Sequence, residues 1–120
     1  MMREYTTNFI KSDGQRSFSE YYTTGYGSAI FCPSLKRNII FAHHNLLTDN
    51  VFNQFDLILC RNVMIYFNQA IKKRAQDLLH NSLYVDGFIG FGRKESINFS
   101  THELCYKKLE NDHSIYKRVI

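Results

Sequence analysis

The chain has 120 residues, room for one domain with a modest core, and its 44% hydrophobic and 22% charged composition excludes a disordered chain. Its formal charge of +4 is mild and spread out, and without a recognition motif it gives no ground for nucleic-acid binding. No apolar run approaches the ~20 residues of a membrane span and Met1-Met2-Arg3-Glu4-Tyr5 is no signal-peptide core, so a cytoplasmic protein without membrane insertion is expected.

Residues 1–17 are polar, with a turn at Ser12-Asp13-Gly14-Gln15, and read as a tail or the remnant of a removed element. Tyr21 to Gly25 reads as a strand leading into a turn, and Ser28 to Cys32 as a short strand that Pro33 stops. The tyrosines here suit a peptide-binding surface, but aromatic packing between strands is the favoured reading. Asn38 to Ala42 is a further strand candidate, ending in His43-His44-Asn45-Leu46-Leu47. Adjacent histidines on an extended chain point to opposite faces, and Cys32, Cys60 and Cys105 match neither a metal motif nor a disulfide framework. No metal site is expected, and the odd cysteine count fits a reducing compartment. Asn45 stands at a strand's carboxyl end, where its amide suits an adenine edge; spacing alone leaves a turn-forming role equally open.

The central stretch is Phe55 to Phe67. Leu57 to Leu59 reads as a strand covered on both faces, and Cys60-Arg61-Asn62 follows at the end where open α/β sheets bind ligands. A buried Arg61 would be costly without a partner. Cys60 reads as a small buried residue and not a nucleophile. Tyr66, taken alone, is better read as an amphipathic core residue than as a ligand contact. Asn68 caps a helix running from Gln69 to about Leu83, with Ile71, Ala75, Leu78, Leu79 and Leu83 on one apolar stripe. Lys72-Lys73-Arg74 reads as that helix's solvated face more than as a contact for an acidic partner. Asp86-Gly87 turns the chain into a strand over Phe88 to Phe91, completing a βαβ unit with a right-handed crossover. Leu104 to Leu109 and Ser114 to Ile120 form an antiparallel hairpin. Gly90-Phe91-Gly92 lacks a third glycine and ends a strand, so it is not a nucleotide loop.

The run F-D-L-I-L-C-R-N-V-M-I-Y-F over residues 55–67 resembles the signature of the CheR-type chemotaxis receptor methyltransferases. Asn45-Leu46-Leu47 ahead of it, Asp86-Gly87 to Glu95 behind it and Ile115-Tyr116 at the end follow the family's order, so the resemblance runs from about Phe18 to the C-terminus. It implies a partial Rossmann-like α/β fold of the S-adenosylmethionine-dependent methyltransferase kind, a mixed sheet ending in an antiparallel hairpin. Residues 18–120 would be the C-terminal part of the catalytic domain, with 1–17 outside it. The implied activity is methylation of glutamate side chains on chemotaxis receptors, with S-adenosyl-L-methionine as donor and S-adenosylhomocysteine as product. By the same resemblance Arg61 and Tyr66 lie at the active site. Asn45, Leu46, Cys60, Arg61 and, less firmly, Asn62 contact the cofactor. Where the family has Gly-His-Ser-Glu this chain has Gly92-Arg93-Lys94-Glu95, with Glu95 equally readable as structural.

Methyl transfer from a sulfonium to a carboxylate is an in-line displacement, and a glutamate with a pKa near ~4.3 needs no general base. Such a site needs holders more than a triad. Arg61 suits a carboxylate fork, Tyr66 an oxygen near the methyl group, and Val63 and Met64 the pocket wall. The family's glycine-rich loop, first strand and acidic ribose ligand are expected upstream of Phe18, where residues 1–17 do not supply them. The expected consequences are weak cofactor binding by this chain and an unpaired sheet edge open to homodimerisation. Two further readings stay open: a non-catalytic interaction module built on the same half-fold, and a methyltransferase for another carboxylate or small molecule.

Overall fold

The computed structural model describes residues 1–51, 53–98, 100–110 and 114–120, so most of the loop expected over 110–113 lies outside the described residues. The chain forms two compact units, Met1–His43 and His44–Ile120.

In the first unit the polar leader carries a helix, α1 (Met2–Lys11), where the sequence showed only the turn that follows it. The two expected strands pair antiparallel as β1 (Tyr22–Gly25) and β2 (Ser28–Phe31). Tyr26 and Gly27 join them with φ of 50° and 75°, the left-handed pair that a two-residue hairpin turn requires. The aromatic residues pack on one another, as the favoured reading had it. Tyr22 lies opposite Phe31, and the Phe9 and Phe18 rings stack 5.3 Å apart. The strand expected over Asn38 to Ala42 does not form. Ile39, Ile40 and Phe41 are exposed and irregular, because a strand needs a paired neighbour and no described segment offers one.

The second unit is a four-stranded mixed sheet in the order β3-β4-β6-β5. Strand β3 (Phe55–Cys60) runs parallel to β4 (Leu83–Phe91), and α2 (Gln69–Asn81) lies between them in sequence. Asn68 caps α2 as expected, its Oδ1 accepting from the Ile71 N–H at 3.0 Å. Leu83, placed on the helical stripe by its spacing, instead opens β4. The Arg118 guanidinium donates to the His80 carbonyl in the last turn of α2 (2.8 Å) and to the Leu83 carbonyl at the start of β4 (2.6 Å), tying the helix end to the strand. The turn expected at Asp86-Gly87 is a bulge within β4. Phe55 pairs with Leu83 and Leu57 with Phe88, so residues 84–87 loop out, with Asp86 at φ 69°. The closing hairpin is β5 (Tyr106–Lys108) against β6 (Ile115–Arg118), and β6 also pairs antiparallel with β4.

The core centres on Met64, Leu83, Ile89 and Phe91, with Ala75 and Leu79 from α2 and Tyr116 from β6. Strand β3 is covered on one face only, contrary to the expectation of burial on both. Cys60 and Ile58 join the core, while Leu57 and Leu59 are 57% and 67% exposed. Among the described residues β3 pairs with β4 alone, so its other edge is open and no layer closes over its outward face.

Candidate functional site: the turn after β3

The chain leaves β3 at Cys60 and turns sharply through Arg61, Asn62 and Val63 into a short 3₁₀ turn at Met64–Tyr66. Asn62 has φ 59°, a left-handed value that asparagine tolerates better than most residues. A buried carboxylate holds this turn. Glu95, 4% exposed, accepts from the backbone N–H groups of Asn62 (2.6 Å) and Gly92 (2.9 Å) on one oxygen. Its other oxygen accepts from Val63 (3.0 Å) and Met64 (2.8 Å). Burial by itself raises this carboxyl's pKa; the hydrogen bonds from Gly92, Asn62, Met64 and Val63 outweigh it and hold the group below its ordinary range. Gly92 is required beside it, since a Cβ there would overlap Asn62 Oδ1 and lie 2.9 Å from Glu95 Oε2.

The residues singled out in the sequence fall into two groups. Arg61 and Tyr66 are exposed, Tyr66 at 82%. Neither side chain has a hydrogen-bond or ion-pair partner among the described residues. Exposure removes the desolvation cost that a buried Arg61 would carry, and it rules out the core role for Tyr66. Met64, assigned to the pocket wall, is fully buried and anchors the turn to the core; Val63 is exposed. Cys60 is buried, and burial followed by the charge of Glu95 pushes its thiol up to about 11, which makes it a packing residue and no thiolate at neutral pH. Asn62 works locally as the left-handed corner of the turn.

Asn45 and Leu46 sit in a separate turn. The Asn45 Oδ1 accepts from the Leu47 N–H at 2.9 Å and its own N–H donates to Asp49 Oδ2 at 2.7 Å. Both are turn-forming contacts, and they leave the Asn45 side-chain NH₂ uncommitted among the described residues. The expected solvated cluster on α2 contributes here: the Arg74 guanidinium donates to the carbonyls of Leu47 and Asp49 and ties this turn to the helix. Leu46 packs against the core and, with Phe55, Leu57, Leu59 and Leu79, lines an apolar groove of about 270 Å³ along β3. Leu46 is thereby brought beside β3, whose end carries Cys60, Arg61 and Asn62. The positioning role of Glu95 was not decided by its sequence; the signal was there in Gly92-x-x-Glu95 at the end of the strand parallel to β3.

Residues 3–115 match the family described as CheR methyltransferase, SAM binding domain. The chain belongs to the CheR methyltransferase family. It is 44% identical to the Cher3 protein of Pseudomonas putida over 117 residues, 98% of this chain and 43% of that one. It is 42% identical to the chemotaxis protein methyltransferase of Listeria monocytogenes over 65 residues, 54% of this chain and 25% of the relative. The corresponding protein of Vibrio parahaemolyticus is 30% identical over 89 residues, 73% of this chain and 32% of its own. The chain thus spans less than half the length of these relatives. The match reaches upstream of Phe18, where the resemblance in the sequence began. The mixed sheet with its closing antiparallel hairpin is consistent with a methyltransferase domain of this kind.

S-adenosylmethionine is the cofactor of this family's domain. Among the described residues the Asn45 NH₂ and the Arg61 guanidinium have no partner and Leu46 is half-buried, so a donor, a cation and an apolar surface of the kinds such a molecule needs are present. Among the described residues no helix is long and apolar enough to cross a membrane.

Proposed function

We propose that this chain carries one wall of the cofactor pocket and the substrate-facing turn of a protein-glutamate methyltransferase acting on chemotaxis receptors. One observation carries the reading. Glu95 fixes the turn after β3 by four backbone hydrogen bonds, and Arg61 and Tyr66 project from it without partners among the described residues. Groups held rigidly at a strand's carboxyl end with their donors unused suit capture of a ligand.

When bound, S-adenosylmethionine supplies a methyl group activated by its sulfonium. A receptor glutamate is ionised at neutral pH and needs no base from the protein. Arg61 forks a carboxylate, the substrate's or the cofactor's, and Tyr66 donates its hydroxyl to an oxygen near the reacting centre. Val63 shields the pocket from water. Asn45 and Leu46 hold the cofactor's adenine side, and Cys60 and Asn62 contribute through the shape of the strand end. The work is alignment, which supplies several kcal/mol of the barrier. The product is a glutamate methyl ester with S-adenosylhomocysteine.

The chain by itself holds S-adenosylmethionine weakly. Calorimetric titration is expected to show no low-micromolar binding to the chain. Replacing the matching segment of Cher3 by this chain is expected to give a protein that binds the cofactor and esterifies receptor fragments. Low-micromolar binding by the chain alone, or a folded chimera unable to bind the cofactor, would refute the reading. A second reading, an interaction module that pairs through β3, is favoured by that strand's open edge and by the exposure of Leu57 and Leu59. It predicts a homodimer in sedimentation equilibrium. A cytoplasmic location belongs to the same proposal, and the three free cysteines support it.

A further inference from the structure

The parallel strands β3 and β4 end side by side, Cys60 opposite Phe91, and each runs at once into a tight turn. The second turn spans Gly92 to Glu95. The Glu95 N–H donates to the Gly92 carbonyl at 3.0 Å, and the Gly92 N–H donates to Glu95 Oε2 at 2.9 Å. Closed at both ends, this turn carries Arg93 and Lys94 at its two central positions, and both are exposed. The same Glu95 oxygen accepts from the Asn62 N–H at 2.6 Å, so the two turns share one carboxylate. A Cβ on Gly92 would stand 3.0 Å from the Asn62 nitrogen, which measures how closely the two backbones approach. Arg61 precedes Asn62 and Arg93 follows Gly92, so a cation stands on each side of that approach.

Arg61, Arg93 and Lys94 are thus carried on one frame, and among the described residues none of them has a hydrogen-bond or ion-pair partner. Glu95, the carboxylate between them, is buried and committed to four backbone N–H groups. Other cations of this unit are engaged: Lys73 pairs with Asp77, Lys117 with Asp86, and Arg74 and Arg118 donate to backbone carbonyls. At the ends of β3 and β4 the positive charge is left uncompensated.

We propose that Arg93 and Lys94 select the protein substrate by its charge, taking carboxylates that flank the methyl-accepting glutamate. The substrate is then an acidic segment, and a glutamate set among neutral residues is a poor one. This rests on the methyltransferase reading of the turn after β3, in which Arg61 and Tyr66 face the reacting carboxylate. The Arg93 guanidinium offers a planar fork to a carboxylate and Lys94 a point charge. Because both stand on a turn that is already closed, little backbone ordering is lost when a peptide docks. Exposed ion pairs are individually weak, so the pair confers preference and salt-sensitive encounter more than tight binding. Where the resembled family has His-Ser between the glycine and the glutamate, this chain has two cationic side chains, so the preference belongs to this chain's own residues.

Fluorescence anisotropy of the 120-residue chain with two labelled peptides tests this. One peptide carries glutamates around a central glutamate; the other is its isostere with glutamine at the flanking positions. The acidic peptide is expected to bind about 5–10-fold tighter at low ionic strength, and the preference to collapse near ~1 M salt. Arg93→Ala/Lys94→Ala is expected to abolish the preference with an unchanged far-ultraviolet circular dichroism spectrum. Arg93→Lys/Lys94→Arg should retain it, as should Lys11→Ala/Lys107→Ala, which removes the same charge from exposed positions elsewhere. Equal affinity for the two peptides, or no binding of either, would overturn the proposal. So would survival of the preference in Arg93→Ala/Lys94→Ala, or its equal loss in Lys11→Ala/Lys107→Ala. Peptide binding is read without methyl transfer, so a Cher3 chimera inactive on both peptides would count against the methyltransferase reading and is distinguishable from a failure of charge selection.

Discussion

Glu95 accepts a hydrogen bond from the backbone N–H of Asn62 at 2.6 Å, joining the ends of two parallel strands across 33 residues of sequence. That carboxylate gives the turn after β3 its shape, and the positions of Arg61 and Tyr66 depend on it.

Replacing Glu95 by Gln is expected to lower stability by about 2–4 kcal/mol. One oxygen of the amide can still accept, but its NH₂ would face backbone N–H groups that already point inward. Urea unfolding of the two proteins measures the difference. A loss below about 0.5 kcal/mol would show that the carboxylate does not hold the turn.

Acid should act through the same group. The folded state holds the Glu95 carboxyl below its ordinary range, so folding favours the ionised form. The resulting stability is fully present above the unfolded carboxyl's pKa and is lost as pH falls through the folded one. Cys60, whose thiol is raised to about 11 by burial and then by the charge of Glu95, stays neutral throughout this window. Denaturation midpoints measured down through the carboxylate range should fall more steeply for the native chain than for Glu95→Gln.

Gly92→Ala should be destabilising by about 1–3 kcal/mol, because the added methyl collides with Asn62 Oδ1 in a turn with no slack. Gly25 provides the control. A Cβ there meets nothing, so Gly25→Ala is expected to change stability far less. Thermal unfolding of both variants makes the comparison.

Cys60 should resist alkylation in the folded chain at pH 8, being buried with its thiol pushed up to about 11. Mass spectrometry after iodoacetamide treatment should find label on Cys32 and Cys105 first, and on Cys60 only after denaturation.

The parts of the fold legible in the sequence were those in which local pattern and final packing agree. Asn68 before the stripe of Ile71, Ala75, Leu78 and Leu79 gave the helix its start, and the two short runs before Pro33 read as the strands that pair as β1 and β2. Local pattern failed where a distant partner decides. Ile39 to Phe41 has the composition of a strand and no neighbour to pair with, and Leu57 and Leu59 lack a covering layer. Leu83 has helical spacing, but it opens β4, where its partner Phe55 is 28 residues distant in sequence.

The motif singled out Arg61 and Tyr66 as candidates. Their exposure without partners among the described residues, and the burial of Met64, needed the fold. Glu95 could not be ranked from sequence because its four partners are backbone groups, which every residue type shares.

The most direct measurement is methyl transfer from labelled S-adenosylmethionine to chemoreceptor fragments by Cher3 carrying this chain in place of its matching segment. The expected result is a base-labile methyl ester on glutamate. Its rate should drop by about 10²-fold or more in Arg61→Ala and clearly in Tyr66→Phe, with folding stability unchanged within about 0.5 kcal/mol in both. Ester formation at an undiminished rate in Arg61→Ala, or none from a folded, cofactor-binding chimera, would contradict it.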